Sequence, residues 1–223
     1  ISTVFLRLVE VQTSGTSEFL RDATSVPTAA ALEILRMVAD GVPSGQKGVL
    51  ATITELTGTG ARAVGTHMAV LENGDSAGSF SSGCVEAAII AEALDVLRGR
   101  APRTVRFGQG SPYIDIRLPC GGGMDVLFLA DPAADINERA LDCLEARQPV
   151  TLELDLAGSL GLASESVPQN AGWQDGSFKV RHAPPLRLVL LGHGAEMLAS
   201  MRLALSFGAS VELYSPEAEV IEA

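Results

Sequence analysis

The chain has 223 residues, 47% of them hydrophobic, and 27 acidic against 16 basic side chains give it a formal net charge of -11. This size and apolar content predict one or two globular domains with a sizeable core. The negative charge argues against a nucleic-acid partner, because phosphate binding needs a basic surface. The sequence has no apolar run of bilayer length and no signal-peptide pattern, so we expect no membrane partner.

The three cysteines, Cys84, Cys120 and Cys143, are widely separated. They are too few for a disulfide framework, and no pair has the spacing of a zinc site. We therefore expect a reducing, cytoplasmic location.

In chain order, residues 1–24 begin with a strand-like stretch and form an N-terminal segment to which we assign no role. A helix is predicted from Ser25 to Gly41, and β-branched residues predict a strand over 48–55. Residues 58–65 then form a connection with three glycines and Arg62. Arg62 is either a solvated loop side chain or a guanidinium aimed at an anionic ligand.

The stretch 73–86 concentrates the most chemistry. Asn73-Gly74 predicts a tight turn, and apolar residues from Val85 to Gly99 recur at helical spacing. The backbone N–H groups of 81–83 would then lie at a helix N-terminus, where they could bind an anion or stabilise a thiolate on Cys84.

A structural interpretation of the same stretch stays open. Ser82 or Gly83 caps the helix, Glu86 complements the helix dipole, and Cys84 is a small packed side chain. His67, just after the 58–65 connection, is expected to be a satisfied or exposed strand residue, because no second His or Cys stands at metal spacing.

Two further segments have alternative interpretations. Arg98, Arg100, Arg103 and Arg106 form either the basic end of a helix followed by an exposed strand or an electropositive patch for an anionic partner. The glycines at 121–123 follow Cys120, and they predict either a loop whose backbone contacts a ligand or a bulge or tight turn.

The remaining part begins with a predicted helix over 136–145, in which Cys143 is a core residue. Residues 149–156 predict an edge or half-exposed strand, and 178–182 a second strand. The polar stretch 164–176, which contains Trp173, is expected to be a loop.

After Pro184-Pro185, an apolar strand at 186–191, a helix to Phe207 and a strand at 210–214 predict the β-α-β unit of a dinucleotide-binding fold. Gly192 and Gly194 would be its phosphate-binding glycines. The third small residue of that motif is replaced by Met197 or delayed to Ala199, and about 40 residues cannot form a whole doubly wound sheet.

Taken together, the glycine and cysteine motifs resemble the XdhC/CoxI family over about residues 27–214. The residues that carry the resemblance are Val49-Leu50-Ala51-Thr52-Ile53-Thr54, Gly58-Thr59-Gly60-Ala61-Arg62 with Gly65 and Met68, Gly78-Ser79, Ser82-Gly83-Cys84-Val85-Glu86, Cys120-Gly121-Gly122 and Gly192 to Gly194. The family pattern differs at three positions, where this chain has Ala61, Ser82 and Ala195.

The resemblance implies an α/β protein. A mixed α/β XdhC/CoxI domain over 25–183 would be followed at 184–223 by the incomplete start of a Rossmann-like doubly wound domain. It also implies an accessory protein rather than a catalyst, one that binds molybdenum cofactor, supports its sulfuration and delivers it to a xanthine-dehydrogenase-type or carbon-monoxide-dehydrogenase-type hydroxylase. A cysteine desulfurase and a second copy of the chain are expected as further partners.

The residues and the resemblance together give a site hypothesis. The predicted cofactor-binding residues are Arg62, Gly65, Ser81, Ser82, Gly83, Cys84, Cys120, Gly121, Gly122, Gly192 and Gly194. Cys84 or Cys120 would contact the molybdenum or sulfur end, and arginine and helix N-terminal amides would hold the phosphate. The alternatives are an NAD(P)-dependent oxidoreductase that uses Gly192 and Gly194, and a docking module without a small-molecule site.

Overall fold

The computed structural model describes residues 28–41, 45–58, 62–81, 83–99, 101–111, 118, 121–164 and 170–215. The strand-like stretch near the N-terminus lies outside these residues, as do Ser82, Arg100 and Cys120. The described chain is an α/β protein.

Four helices lie in the described part of the chain: α1 (Thr28–Gly41), α2 (Glu86–Gly99), α3 (Ala134–Glu145) and α4 (Ala195–Ser206). The strands there are β1 (Gly48–Thr57), β2 (His67–Leu71), β3 (Ser76–Ala77), β4 (Arg103–Gly108), β5 (Gly123–Ala130), β6 (Val150–Asp155), β7 (Leu160–Ala163), β8 (Ala171–Gln174), β9 (Ser177–His182), β10 (Arg187–Leu191) and β11 (Ser210–Tyr214). Within these ranges no helix combines the length and the hydropathy that a membrane crossing requires.

The central layer is a five-stranded antiparallel sheet with the order β3-β2-β1-β5-β4. Alternating residues of β1 and β5 face opposite sides, as the two-residue period of a strand requires. Val49, Ala51 and Phe128 pack in a core with α2, whereas Leu50 and Leu129 pack in a second core with α1, α3 and another sheet. The sheet is therefore covered on both faces.

The predicted turn at Asn73-Gly74 joins β2 to β3. Gly74 has a positive φ of 90°, and the Asn73 side chain accepts a hydrogen bond from the Asp75 N–H at 2.9 Å. This turn chemistry confirms the hairpin.

The second sheet is antiparallel with the order β7-β6-β9-β8. It corrects two predictions. β6 is an inner strand rather than an edge strand, because β7 and β9 pair with it on either side. The stretch 164–176, predicted as a loop, contains β8, whose Trp173 packs edge-on against Phe178 at a ring-centroid distance of 5.3 Å.

The predicted β-α-β unit at the end of the chain is present as β10, α4 and β11. The two strands are parallel and paired from Arg187↔Ser210 to Leu191↔Tyr214. The sequence predicts a fully apolar strand here, but β10 carries Arg187 and alternates between exposed and half-buried residues. In the described structure this sheet has two strands.

Candidate functional site

One end of the five-stranded sheet gathers the glycine-bearing loops. β1 ends at Thr57 and β4 at Gly108, and both residues are opposite Gly123, where β5 begins. A Cβ placed on Gly58 would lie 3.3 Å from the Cα of Gly122, so the loop that starts at residue 58 leaves the sheet in contact with the 121–123 segment. The predicted site segments 58–65 and 121–123 therefore meet here, at Gly58 and Gly122.

Arg106 fastens this end of the sheet. Its guanidinium donates to the Thr57 hydroxyl at 2.6 Å, to the Gln109 carbonyl at 2.9 Å and to the Asp125 carboxylate at 3.2 Å. Because its three partners lie on β1, on β5 and just after β4, Arg106 has a structural role in holding these strand ends together.

The other described arginines of the predicted patch are also paired. Arg98 and Arg103 each form ion pairs with Asp95, and Arg103 also pairs with Glu92. The interpretation as a helix end followed by a strand therefore holds for them. Arg100 lies outside the described residues.

Arg62 connects the loop after β1 to the loop before α2. Its Nε donates to the carbonyl oxygen of Ser79 at 3.2 Å, and its side chain is exposed. Within the described residues, its two terminal guanidinium nitrogens have no partner. Arg62 thus lies beside the Cys84 loop, which we define as residues 79–81 and 83–85. The edge of the guanidinium that carries the two terminal nitrogens is opposite the contact with Ser79.

The Cys84 loop differs from the prediction in one important respect. Four of its backbone N–H groups, those of Phe80, Ser81, Gly83 and Val85, are not available to a ligand, because the Glu86 carboxylate accepts them. The donors to this carboxylate, at 2.7–3.2 Å, are the N–H groups of Phe80, Ser81, Gly83 and Val85 and the hydroxyls of Ser79 and Ser81. The alternative in which Glu86 complements the helix N-terminus is therefore the one that the structure supports.

These contacts also change the acidity of Glu86. Partial burial raises the pKa of its carboxyl, but hydrogen bonds from the Ser81 and Ser79 hydroxyls and from backbone amides outweigh it and hold the pKa far below the usual value of 4.5. Glu86 is therefore an anion at any physiological pH. The Ser81 hydroxyl in turn accepts the Val85 N–H at 2.9 Å, so Ser81 serves the loop itself.

The two described cysteines have different surroundings. Cys84 is exposed, in the last turn before α2, whereas Cys143 is partly buried and packs against the core. The core position predicted for Cys143 is confirmed. Cys120 lies outside the described residues.

Several predicted site glycines have packing roles. Gly65 is buried with a φ of 88°, and a Cβ on it would lie 2.6 Å from the Ala171 Cβ of the second sheet. Gly121 has a φ of 68° and donates to the Leu118 carbonyl at 2.9 Å, which is the tight turn predicted as an alternative. Contact of these glycines with a ligand stays a prediction.

A buried histidine pair lies where β2 begins and β9 ends, and the sequence interpretation did not find it. His67 Nε2 is 3.1 Å from His182 Nε2, and His67 Nδ1 is 2.8 Å from the Thr52 hydroxyl. His67 is satisfied, as expected, but it is fully buried. Nothing local in the sequence pairs it with His182, which is 115 residues away.

Burial changes the acidity of both rings. It lowers the pKa of His182 to about 4, and burial together with the neighbouring His182 lowers the pKa of His67 well below 6.5. Both rings are therefore neutral at pH 7, and they join the central sheet to the second sheet.

Gly192 and Gly194 lie on the β10-α4-β11 unit, with φ values of 150° and 89°. Gly194 immediately precedes α4, and the first turn of that helix carries Glu196. A carboxylate at this position disfavours a nucleotide phosphate, because both are negatively charged. Binding of NAD(P) there stays a prediction.

Comparisons with known proteins agree with this geometry. The sequence profile of the XdhC and CoxI family matches residues 42–108, the range that contains Arg62 and the Cys84 loop. The chain is 37% identical over 175 residues to the molybdenum cofactor insertion chaperone PaoD of Escherichia coli strain K12, an alignment that covers 78% of this chain and 55% of that protein. The two comparisons support the XdhC and CoxI family for this chain.

A solved structure extends the comparison of the fold. A protein described as a xanthine dehydrogenase from Bacillus halodurans superimposes with a TM-score of 0.66 at 22% identity, covering 82% of this chain and 61% of that one. At this identity the likeness establishes the fold alone. The chain spans about half the length of the chaperone that it matches.

Proposed function

We propose that this chain is a member of the XdhC and CoxI family that binds molybdenum cofactor and delivers it to a molybdenum hydroxylase. The observation that carries the proposal is the contact between Arg62 and Ser79, which brings an exposed guanidinium to the loop that bears an exposed thiol. The similarity to a chaperone named for molybdenum cofactor insertion supports the choice of cargo.

The side chains suit this cargo chemically. Molybdopterin carries a phosphate and two dithiolene sulfurs around the metal, so a carrier needs a phosphate donor and a soft ligand. The terminal nitrogens of Arg62 are suited to the phosphate, and the Cys84 thiol is suited to the molybdenum or sulfur end.

The finer assignments are part of the same proposal. Of the predicted set, Arg62, Cys84, Gly121 and Gly122, together with Ser82 and Cys120, would contact the cofactor. Gly65, Ser81 and Gly83 would shape the loops that carry these contacts. We propose that two domains meet near residue 184. The proposed partners are a hydroxylase of xanthine or carbon monoxide dehydrogenase type, a cysteine desulfurase and a second copy of the chain. We also propose that the protein supports sulfuration of the cofactor and that it is cytoplasmic.

Reconstitution of a cofactor-free molybdenum hydroxylase tests this function. The chain, loaded with purified cofactor, should restore hydroxylase activity faster than cofactor alone. Arg62→Ala should lose most of this gain, since a hydrogen bond to a charged group contributes about 1.5–3 kcal/mol, or roughly tenfold to a hundredfold in binding. Cys84→Ala should also lose most of it, because it removes the proposed contact to the molybdenum or sulfur end.

Two matched variants control for the chemistry of the substitution. Arg202 is an exposed arginine on α4, and Cys143 is the partly buried thiol of the core. Arg202→Ala and Cys143→Ala should activate like the wild type. Full activation by Arg62→Ala and Cys84→Ala would contradict the proposed site and favour a docking module that touches only the hydroxylase.

A further inference from the structure

Glu86 behaves as an anion that is built into the loop beside Arg62. Both of its carboxylate oxygens accept backbone N–H groups: one oxygen takes those of Phe80 and Ser81, and the other takes those of Gly83 and Val85. A ring of converging backbone amides of this kind is a site that attracts anions. Here the chain fills that site with its own side chain.

Ser79 links this internal anion to Arg62. The Ser79 hydroxyl donates to Glu86 at 2.7 Å, while the carbonyl oxygen of the same residue accepts the Nε of Arg62 at 3.2 Å. The position of the Ser79 peptide therefore depends on Glu86, and the direction of the Arg62 guanidinium depends on that peptide.

We propose that Glu86 is a positioning residue for Arg62, and that it acts through Ser79 by fixing the Cys84 loop as an internal anion. It follows that the four amides that Glu86 accepts do not bind the phosphate of the cargo, which is left to the terminal nitrogens of Arg62. The second statement rests on the proposed function, whereas the first concerns the chain alone.

The chemistry requires a carboxylate and not only a side chain of that length. In Glu86→Gln, one terminal atom becomes an NH2 group, which cannot accept a hydrogen bond. Because both oxygens of Glu86 accept backbone N–H groups, the glutamine amide faces N–H donors whichever way it is turned. Glu86→Gln should therefore disturb the loop about as much as Glu86→Ala does.

Chemical rescue tests the internal anion without any cofactor. Glu86→Ala should lower Tm by about 5 °C, and acetate should recover most of that loss by entering the vacated ring of amides. Acetamide, which has the same shape without the charge, and sodium chloride at the same ionic strength should not. Glu72→Ala removes an exposed glutamate from the turn after β2, and its Tm should neither fall nor respond to acetate.

The link to Arg62 has a spectroscopic signature. In ¹⁵N-labelled protein the Nε–H resonance of Arg62, identified by its loss in Arg62→Ala, should shift in Glu86→Ala and return when acetate is added. A merely structural role for Glu86 would give the loss of Tm without acetate-specific recovery of this resonance. An unchanged Arg62 resonance in Glu86→Ala, or equal rescue by acetamide, would overturn the proposal.

Cofactor binding separates this inference from the proposed function. If Glu86 acts through Arg62, the double variant Glu86→Ala/Arg62→Ala should bind purified cofactor within about twofold of Arg62→Ala alone, because coupled residues are not additive. Losses that multiply would show that Glu86 acts independently of Arg62. Failure of the wild type to bind cofactor would contradict the proposed function, while the acetate and resonance results would still decide the role of Glu86.

Discussion

The free energy of unfolding should fall steeply as the pH is lowered from 6.5 toward 4.5. The reason is that His67 and His182 bind protons in the unfolded chain over this range but stay neutral in the folded protein. Their folded-state pKa values lie below the usual 6.5, with His182 at about 4. Unfolded histidines bind protons below about 6.5, so acid favours the unfolded state in this window. The stabilisation from the neutral pair is fully present above pH 6.5 and is lost as the pH falls, by up to about 1.4 kcal/mol per pH unit for each ring.

Urea unfolding at several pH values between 4.5 and 6.5 checks this expectation. Glu86, Asp95 and Asp155 have pKa values lowered from usual values of 4.5 or below, so these carboxylates affect the curve only near the lower end of the window. The control is the triple variant Thr52→Val/His67→Leu/His182→Leu, which replaces the whole hydrogen-bonded group with apolar side chains. Its stability should change much less with pH over this range. Parallel curves for the two proteins would show that the pair does not carry the pH dependence.

Gly108→Ala should be among the most destabilising single substitutions, because the space beside Gly108 is filled by backbone. A Cβ there would lie 2.4 Å from the Gly122 carbonyl oxygen and 2.8 Å from Leu118 Cδ1, and φ is 79°. A left-handed conformation costs a non-glycine residue about 1–2 kcal/mol, and overpacking adds about 1–3 kcal/mol. We expect a loss of about 3 kcal/mol or more.

Gly110→Ala is the matched control for this substitution. Gly110 has nearly the same φ, 81°, but the nearest atom to its added Cβ is Arg106 Nε at 3.8 Å. It should therefore lose only the conformational part, about 1–2 kcal/mol. Denaturant unfolding of both variants gives the difference, which measures how tightly β4 packs on the 121–123 segment. Equal losses would mean that the segment yields without resistance.

The elements that the sequence predicted well are those with local signals. The hairpin at Asn73-Gly74, the helices that end at Gly41 and Gly99 and the parallel β-α-β unit each depend on residues close together in sequence. β7 and β8 were not predicted. They are short strands that are stabilised by pairing with β6 and β9, and that pairing is a property of the folded sheet.

The site residues divide in the same way, into those with local sequence signals and those that only the fold brings together. The glycine spacing and Arg62 correctly drew attention to loops that the structure brings together at Gly58 and Ser79. The use of the loop amides by Glu86 agrees with one of the two interpretations of the sequence, because a carboxylate in the first turn of a helix is a common partner for such amides. The His67–His182 pair had no such signal, since only the docking of two sheets creates it.

Equilibrium binding of purified molybdenum cofactor to the chain tests the central claim most directly. Wild-type protein and Arg202→Ala should bind with equal affinity, and Arg62→Ala should bind at least about tenfold more weakly, the loss expected for a charge-assisted hydrogen bond. Cys84→Ala should also bind more weakly. Equal binding by wild type, Arg62→Ala and Cys84→Ala would contradict the account, because Arg62 and the Cys84 loop would then not be where the cofactor is held.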